Sequence, residues 1–139
     1  MAMNYLDSME ISGDAFWVCT QTPDKFDPKG RYSMVLGNLN DGAVAAIKAI
    51  GGNVLTNPNK ENQGRYIKLK SGYPINAKAA TGEELKVVGN GSKVRVNALP
   101  AEWEFAGKKG VNFWIGKAGV TVDDLVVYVN EAAEDDEVL

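Results

Sequence analysis

The sequence predicts a mainly β fold, a small barrel of five or six strands with one helix and a disordered acidic C-terminal tail. Three observations carry that expectation. Apolar and polar residues alternate with period two in residues 31–36 (RYSMVL), 65–70 (RYIKLK) and 92–98 (SKVRVNA), as strands with one dry and one wet face do. Clusters of Gly, Pro, Asn and Asp punctuate the chain between these runs. A single stretch, 40–50 (NDGAVAAIKAI), spaces its apolar residues as a helix does.

Residues 1–14 (MAMNYLDSMEISGD) lack the basic start and apolar middle of a signal peptide and read as a flexible acidic arm. A domain over 15–129 follows. Its first strand is expected at 15–20 (AFWVCT), where aromatic and β-preferring residues concentrate. Two prolines, a glycine and two aspartates make 22–30 a loop. In the next strand Tyr32, Met34 and Leu36 share one face, and Arg31, Ser33 and Val35 the other. Asn40 or Asp41 can cap the helix by accepting an orphan N–H, and Gly51-Gly52 ends it. Its stripe of Ala43, Val44, Ile47 and Ile50 suits a plug against a sheet.

Residues 53–64 are polar and turn-rich. In 65–70, Ile67 and Leu69 face inward and Tyr66, Lys68 and Lys70 outward. Tyr73-Pro74, a short extended piece, a turn at Thr81-Gly82 and a short strand over 85–88 come next. Residues 89–116 read as a long β-hairpin with its turn at 106–110 (AGKKG). Val94 and Val96 oppose Lys93, Arg95 and Asn97 on its first arm; Val111, Phe113 and Ile115 oppose Asn112 and Trp114 on its second. A last strand over 120–129 is interrupted at Asp123-Asp124, with a helical turn from Thr121 as the competing expectation. Trp17, Trp103 and Phe105 are assigned to the core.

A chain of 139 residues suits one domain, which buries about two-thirds of its unfolded surface. With no histidine, Ser-His-Asp and Cys-His catalysis and histidine-bearing zinc sites are excluded. The single cysteine, Cys19, forms no internal disulfide and reads as a buried thiol. No run is long and apolar enough to span a membrane as a helix. The net charge of −3 hides an asymmetry: residues 15–122 hold 15 bases against eight acids, whereas the tail, 130–139, holds five acids and no base. A basic body with an acidic tail points to an anionic partner.

The candidate chemistry is binding. Tyr66 beside Lys68 and Lys70 offers a stacking ring next to phosphate contacts, and every base has a π-face. Lys93 and Arg95 repeat the theme on the hairpin, with Trp114 on the same side. Arg31, Tyr73, Lys108 and Lys109 complete the candidate set. No catalytic residues, metal ligands or cofactor are expected: Asp123-Asp124 and Glu83-Glu84 read as solvated turns, and Gly89-Asn90-Gly91-Ser92 lacks the lysine spacing of a phosphate loop.

Short strands, one helix and long loops are the inventory of an OB-type barrel, which binds oligonucleotides on one face. An immunoglobulin-like sandwich leaves the helix unexplained. The chain further resembles the single-stranded DNA-binding proteins of short-tailed coliphages and their relatives. The matching positions are Gly30-Arg31-Tyr32, Gly64-Arg65-Tyr66, Pro74, Gly82 before Glu83-Glu84-Leu85, Gly89-Asn90-Gly91-Ser92, Lys109-Gly110-Val111 and the acidic C-terminus. The resemblance implies an OB-fold and sequence-tolerant binding of single-stranded DNA in replication, recombination or repair, in the cytoplasm of an infected bacterium. It also implies a tail, with Glu131, Glu134, Asp135, Asp136 and Glu137, that competes with DNA and contacts replication proteins such as a phage DNA polymerase. A second copy of the chain is a candidate partner. A basic adaptor for an acidic protein and a cold-shock-like RNA-binding barrel are the alternatives.

Overall fold

In chain order the elements are β1 (Ala2–Tyr5), β2 (Met9–Phe16), β3 (Tyr32–Gly37), α1 (Asp41–Ala49), β4 (Ile67–Ser71), β5 (Ala77–Ala79), β6 (Glu84–Leu85), β7 (Ser92–Phe105) and β8 (Lys108–Asp124). The computed structural model describes residues 2–20, 23, 29–56 and 64–126. Strand β7 is the hub. One of its edges pairs antiparallel with β2, from Met9↔Ala98 to Ala15↔Ser92, and then with β1, from Tyr5↔Ala101 to Ala2↔Glu104. The other edge pairs with β8. Strand β2 continues to β3 and β3 to β4, both antiparallel. A parallel contact between β4 and β8, Leu69↔Phe113 and Lys70↔Trp114, closes a five-stranded barrel. Strands β5 and β6 extend the sheet from the far end of β8.

The alternation read from the sequence decides what fills this barrel. Met34, Leu36, Ile67, Leu69, Val94, Val96 and Phe113 all point inward and are 5% exposed or less. Burying each large side chain contributes about 1.5–3 kcal/mol. The helix adds Val44 and Ile47 to the same core. Asn40 caps it, its Oδ1 accepting the Ala43 N–H at 2.8 Å. Arg65 ties the helix start to β4, donating to the Leu39 carbonyl at 2.8 Å and pairing with Asp41 at 2.9 Å. Gly52 passes so close to Ile47 and the Phe113 ring that a Cβ there would lie 2.8 and 2.9 Å from them.

Several expectations are corrected. The loose arm expected over 1–14 is corrected from residue 2 onward: β1 and most of β2 lie there, and the Leu6 N–H bonds to the Pro100 carbonyl at 2.9 Å between them. The first barrel strand therefore runs over Met9–Phe16 rather than 15–20, and Trp17, with φ of 54°, ends it. Cys19 is half-buried instead of buried. The hairpin turn is only Ala106-Gly107, whose φ values of 53° and 79° are the left-handed pair that a two-residue hairpin needs. Lys108 and Lys109 belong to β8. That strand is continuous to Asp124, so the separate last strand does not exist as such. The strand expected over 85–88 shrinks to Glu84–Leu85. The tail, 130–139, and its acidic residues lie outside the described residues.

β8 spans both regions by bulging. The ladder passes from Ala98↔Ile115 to Val96↔Val120, leaving residues 116–119 unmatched. Gly119 sits in this bulge with φ of 68°, and a Cβ would fall 2.2 Å from the Asn76 carbonyl oxygen. Gly119→Ala should therefore lower stability more than Gly107→Ala, which meets positive φ (79°) but open space. The turn variant should lose about 1–2 kcal/mol. Urea unfolding midpoints measure both; a smaller loss at 119 than at 107 contradicts the close approach.

Candidate nucleic-acid interface

The closing contact that completes the barrel also assembles its outer face. Because side chains alternate, Leu69 and Phe113 go in and their neighbours Lys70 and Trp114 come out side by side. One step back along β4 is Lys68, exposed, with Tyr66 beyond it on the same side. Asn112 stands beside Trp114 on that face of β8. Lys68, Lys70 and Asn112 line an open groove of about 260 Å3, whose other wall includes Asn53 and Leu55. A backbone bridge between Leu55 and Tyr66 holds that wall against β4.

Arg31 reaches the same place from the start of β3. Its guanidinium carbon lies 5.7 Å from the centre of the Trp114 ring, within the range of cation–π attraction. Trp114 is thus a half-buried floor under a guanidinium. Its indole Nε1 is buried and is the one such side-chain nitrogen or oxygen without a hydrogen-bond partner among the described residues. A guanidinium laid on a ring still presents a flat cationic face, which suits a base and a phosphate alike.

The hairpin carries the face beyond the barrel. By register, Leu99, Ala101, Trp103 and Phe105 share a side with Trp114, Asn112, Gly110 and Lys108. Tyr5 of β1 pairs with Ala101 and joins them. Phe105 is 61% and Tyr5 58% exposed, and Trp103 is half-buried. A Cβ on Gly110 would lie 2.6 Å from the Trp103 ring, so the ring lies flat across that glycine. Tyr5, Trp103 and Phe105 add to the sequence candidates, and the core assignment of Phe105 and Trp103 is corrected by their exposure. The signal was present: outward Lys93, Arg95 and Asn97 fix a parity that, carried along the same strand, brings 103 and 105 outside too.

Other candidates are separated from this face. Lys93 and Arg95 point outward where β7 is flanked by β2 and the end of β8. Arg95 makes a two-pronged bond to Asp123, 2.9 Å at each prong, and that hydrogen bond and charge raise its pKa above the ordinary value. Lys93 lies 3.4 Å from Asp14. Lys109 is exposed on the opposite side of the hairpin from Lys108, across from Glu104. Tyr73, 80% exposed, follows β4, with the Ser71 hydroxyl donating to its carbonyl at 2.7 Å. Exposed Glu102 and Glu104 also lie on the hairpin's other side with Lys109, so Lys108 and the rings are kept apart from them.

No family model and no curated protein matches this sequence. Solved structures do match. A C-terminally truncated single-stranded DNA-binding protein from bacteriophage Enc34 aligns with a TM-score of 0.62 at 14% identity, covering 95% of this chain and 88% of that one. The Enc34 protein in complex with single-stranded DNA gives 0.62 at 15%, over 86% and 88%. The single-stranded DNA-binding protein gp2.5 of bacteriophage T7 gives 0.51 at 15%, over 100% and 99%. At such identities the likeness establishes the fold, a closed barrel of OB type.

Proposed function

We propose that this chain is a non-catalytic, sequence-tolerant single-stranded DNA-binding protein of a phage, acting in replication, recombination or repair in the cytoplasm of the infected bacterium. One observation carries the reading: Tyr66, Lys68, Lys70 and Arg31-on-Trp114 share one outer face of the barrel, with further exposed rings along the hairpin. Rings accept any base because stacking does not read hydrogen-bond patterns, at about 1–3 kcal/mol per base. Lysines neutralise phosphates and release counterions. The fold shared with a barrel solved in complex with single-stranded DNA supports the same assignment. In this reading Lys93 and Arg95 serve the barrel seam through Asp14 and Asp123, and contact with DNA falls to Arg31, Tyr66, Lys68, Lys70, Tyr73, Lys108 and Trp114.

The tail enters by charge. Glu131, Glu134, Asp135, Asp136 and Glu137 carry the sign of DNA, so the tail occupies the cationic face when it is empty and yields to a strand. Displaced, it is available to replication proteins, a phage DNA polymerase among them. A second copy of the chain is a further partner. No cofactor enters this binding.

Titration of labelled oligo-dT, the matching RNA and a duplex at two salt concentrations tests the proposal: dT should bind best. Preference for RNA would mark a cold-shock-like barrel, and binding to none an adaptor. Tyr66→Ala should weaken dT binding by about 1–3 kcal/mol with little change in salt dependence. Lys68→Ala and Lys70→Ala should each flatten the log–log salt slope by about 0.7. The reverse pattern contradicts the assigned roles. Deleting residues 131–139 should tighten binding, most at low salt; unchanged affinity sinks the competition by the tail.

A further inference from the structure

We propose a second single-strand subsite, built on Trp17 and Tyr73, along which a longer DNA strand continues past the β4–β8 face. The inference rests on the reading of this chain as a single-strand binder. Trp17 has φ of 54°, a left-handed backbone that bulky residues seldom adopt and that glycine or asparagine would take with less strain. Its side chain is 51% exposed, while the core takes its neighbour Phe16.

The surrounding chain fixes the backbone that carries the ring from two sides. Asn90 Oδ1 accepts the Trp17 N–H at 2.8 Å, and the Ala15 carbonyl accepts the Gly91 N–H at 2.8 Å. The Thr20 hydroxyl donates to the Lys86 carbonyl. On the other side the Cys19 N–H donates to the Ser33 carbonyl at 3.0 Å, and the Cys19 carbonyl accepts the Ile75 N–H at 3.2 Å. A ring on such a strap loses little freedom when a base stacks on it.

The setting selects the ligand. Tyr73 stands two residues before Ile75, and a groove of about 660 Å3 that begins at its chain neighbour Pro74 is also lined by Thr20 and Lys86. Glu84 shares that groove but lies across the ladder from Lys78, which answers its charge. Exposed rings on the two segments that bound an open groove with a lysine match bases and a phosphate. Continuity points to the same strand: Ser33, which binds the strap, is the ladder partner of Lys70, and Lys70 neighbours Trp114.

The test uses the full chain with dT oligonucleotides of about 5 and about 15 nucleotides, the range of site sizes for one barrel. Trp17→Gly removes the ring yet accepts positive φ, so its urea midpoint should stay near the parent's. It should weaken the long oligonucleotide roughly ten-fold and leave the short one within about two-fold, the size expected for one lost stack. Trp17→Phe, which keeps a ring, should restore most of the loss. Unchanged affinity for the long oligonucleotide overturns the subsite, and so does an equal loss at both lengths. A parent chain that binds neither length refutes the underlying reading instead.

Discussion

The parallel contact between β4 and β8 is the constraint on which the molecule depends. It brings Leu69 against Phe113 inside the barrel and Lys70 against Trp114 outside it in the same two steps. Closure and surface chemistry are therefore one event. A slip of one residue in β4 would bury Lys68 and Lys70 and expose Ile67 and Leu69, a change that no surface contact could offset. Side chains on such a contact inherit the rigidity of the core beneath them, and rigid placement reduces the ordering cost of any ligand they meet.

Charge placement is the second level of organisation. The cations Arg31, Lys68, Lys70 and Lys108 occur with rings on one side, whereas Lys93 and Arg95 face acids near the other end of β7. The Arg95–Asp123 pair is two-fifths exposed at both ends, so solvent screens it and its contribution to stability is small. Its geometric effect is larger: it joins β7 to the end of β8 just beyond the bulge. Similar residue types on adjacent strands thus divide between seam and surface because of the acids opposite them.

Much of this was legible in the sequence. Alternation in 65–70 and 92–98 gave the inward and outward faces, and Asn40 gave the helix start, since these depend only on nearest neighbours. What was missed depends on distant partners. Residues 9–16 (MEISGDAF) are too polar and glycine-bearing to read as a strand, yet a Cβ at Gly13 would lie 2.6 Å from the Gly37 carbonyl, and Asp14 accepts a bond from Asn38 at 2.9 Å. The glycines at 116 and 119 looked like a break and instead bend one long strand. Phe105 and Trp17 looked like core by composition. Phe105 extends past the barrel on a hairpin, and Trp17 sits where the backbone has already turned away from the interior. Hydrophobicity reports what a side chain can bury, while topology decides whether anything is there to cover it.

The most direct test of the shared face is photo-crosslinking. Halogenated uracils in an otherwise poly-dT strand crosslink to the aromatic residues they stack on, and mass spectrometry of the digested protein locates the bonds. Crosslinks are expected at Tyr66 and along the hairpin at Trp103, Phe105 and Trp114. Crosslinks confined to the helix, or to the outer side of β2 and β7 around Lys93 and Arg95, would contradict the shared face.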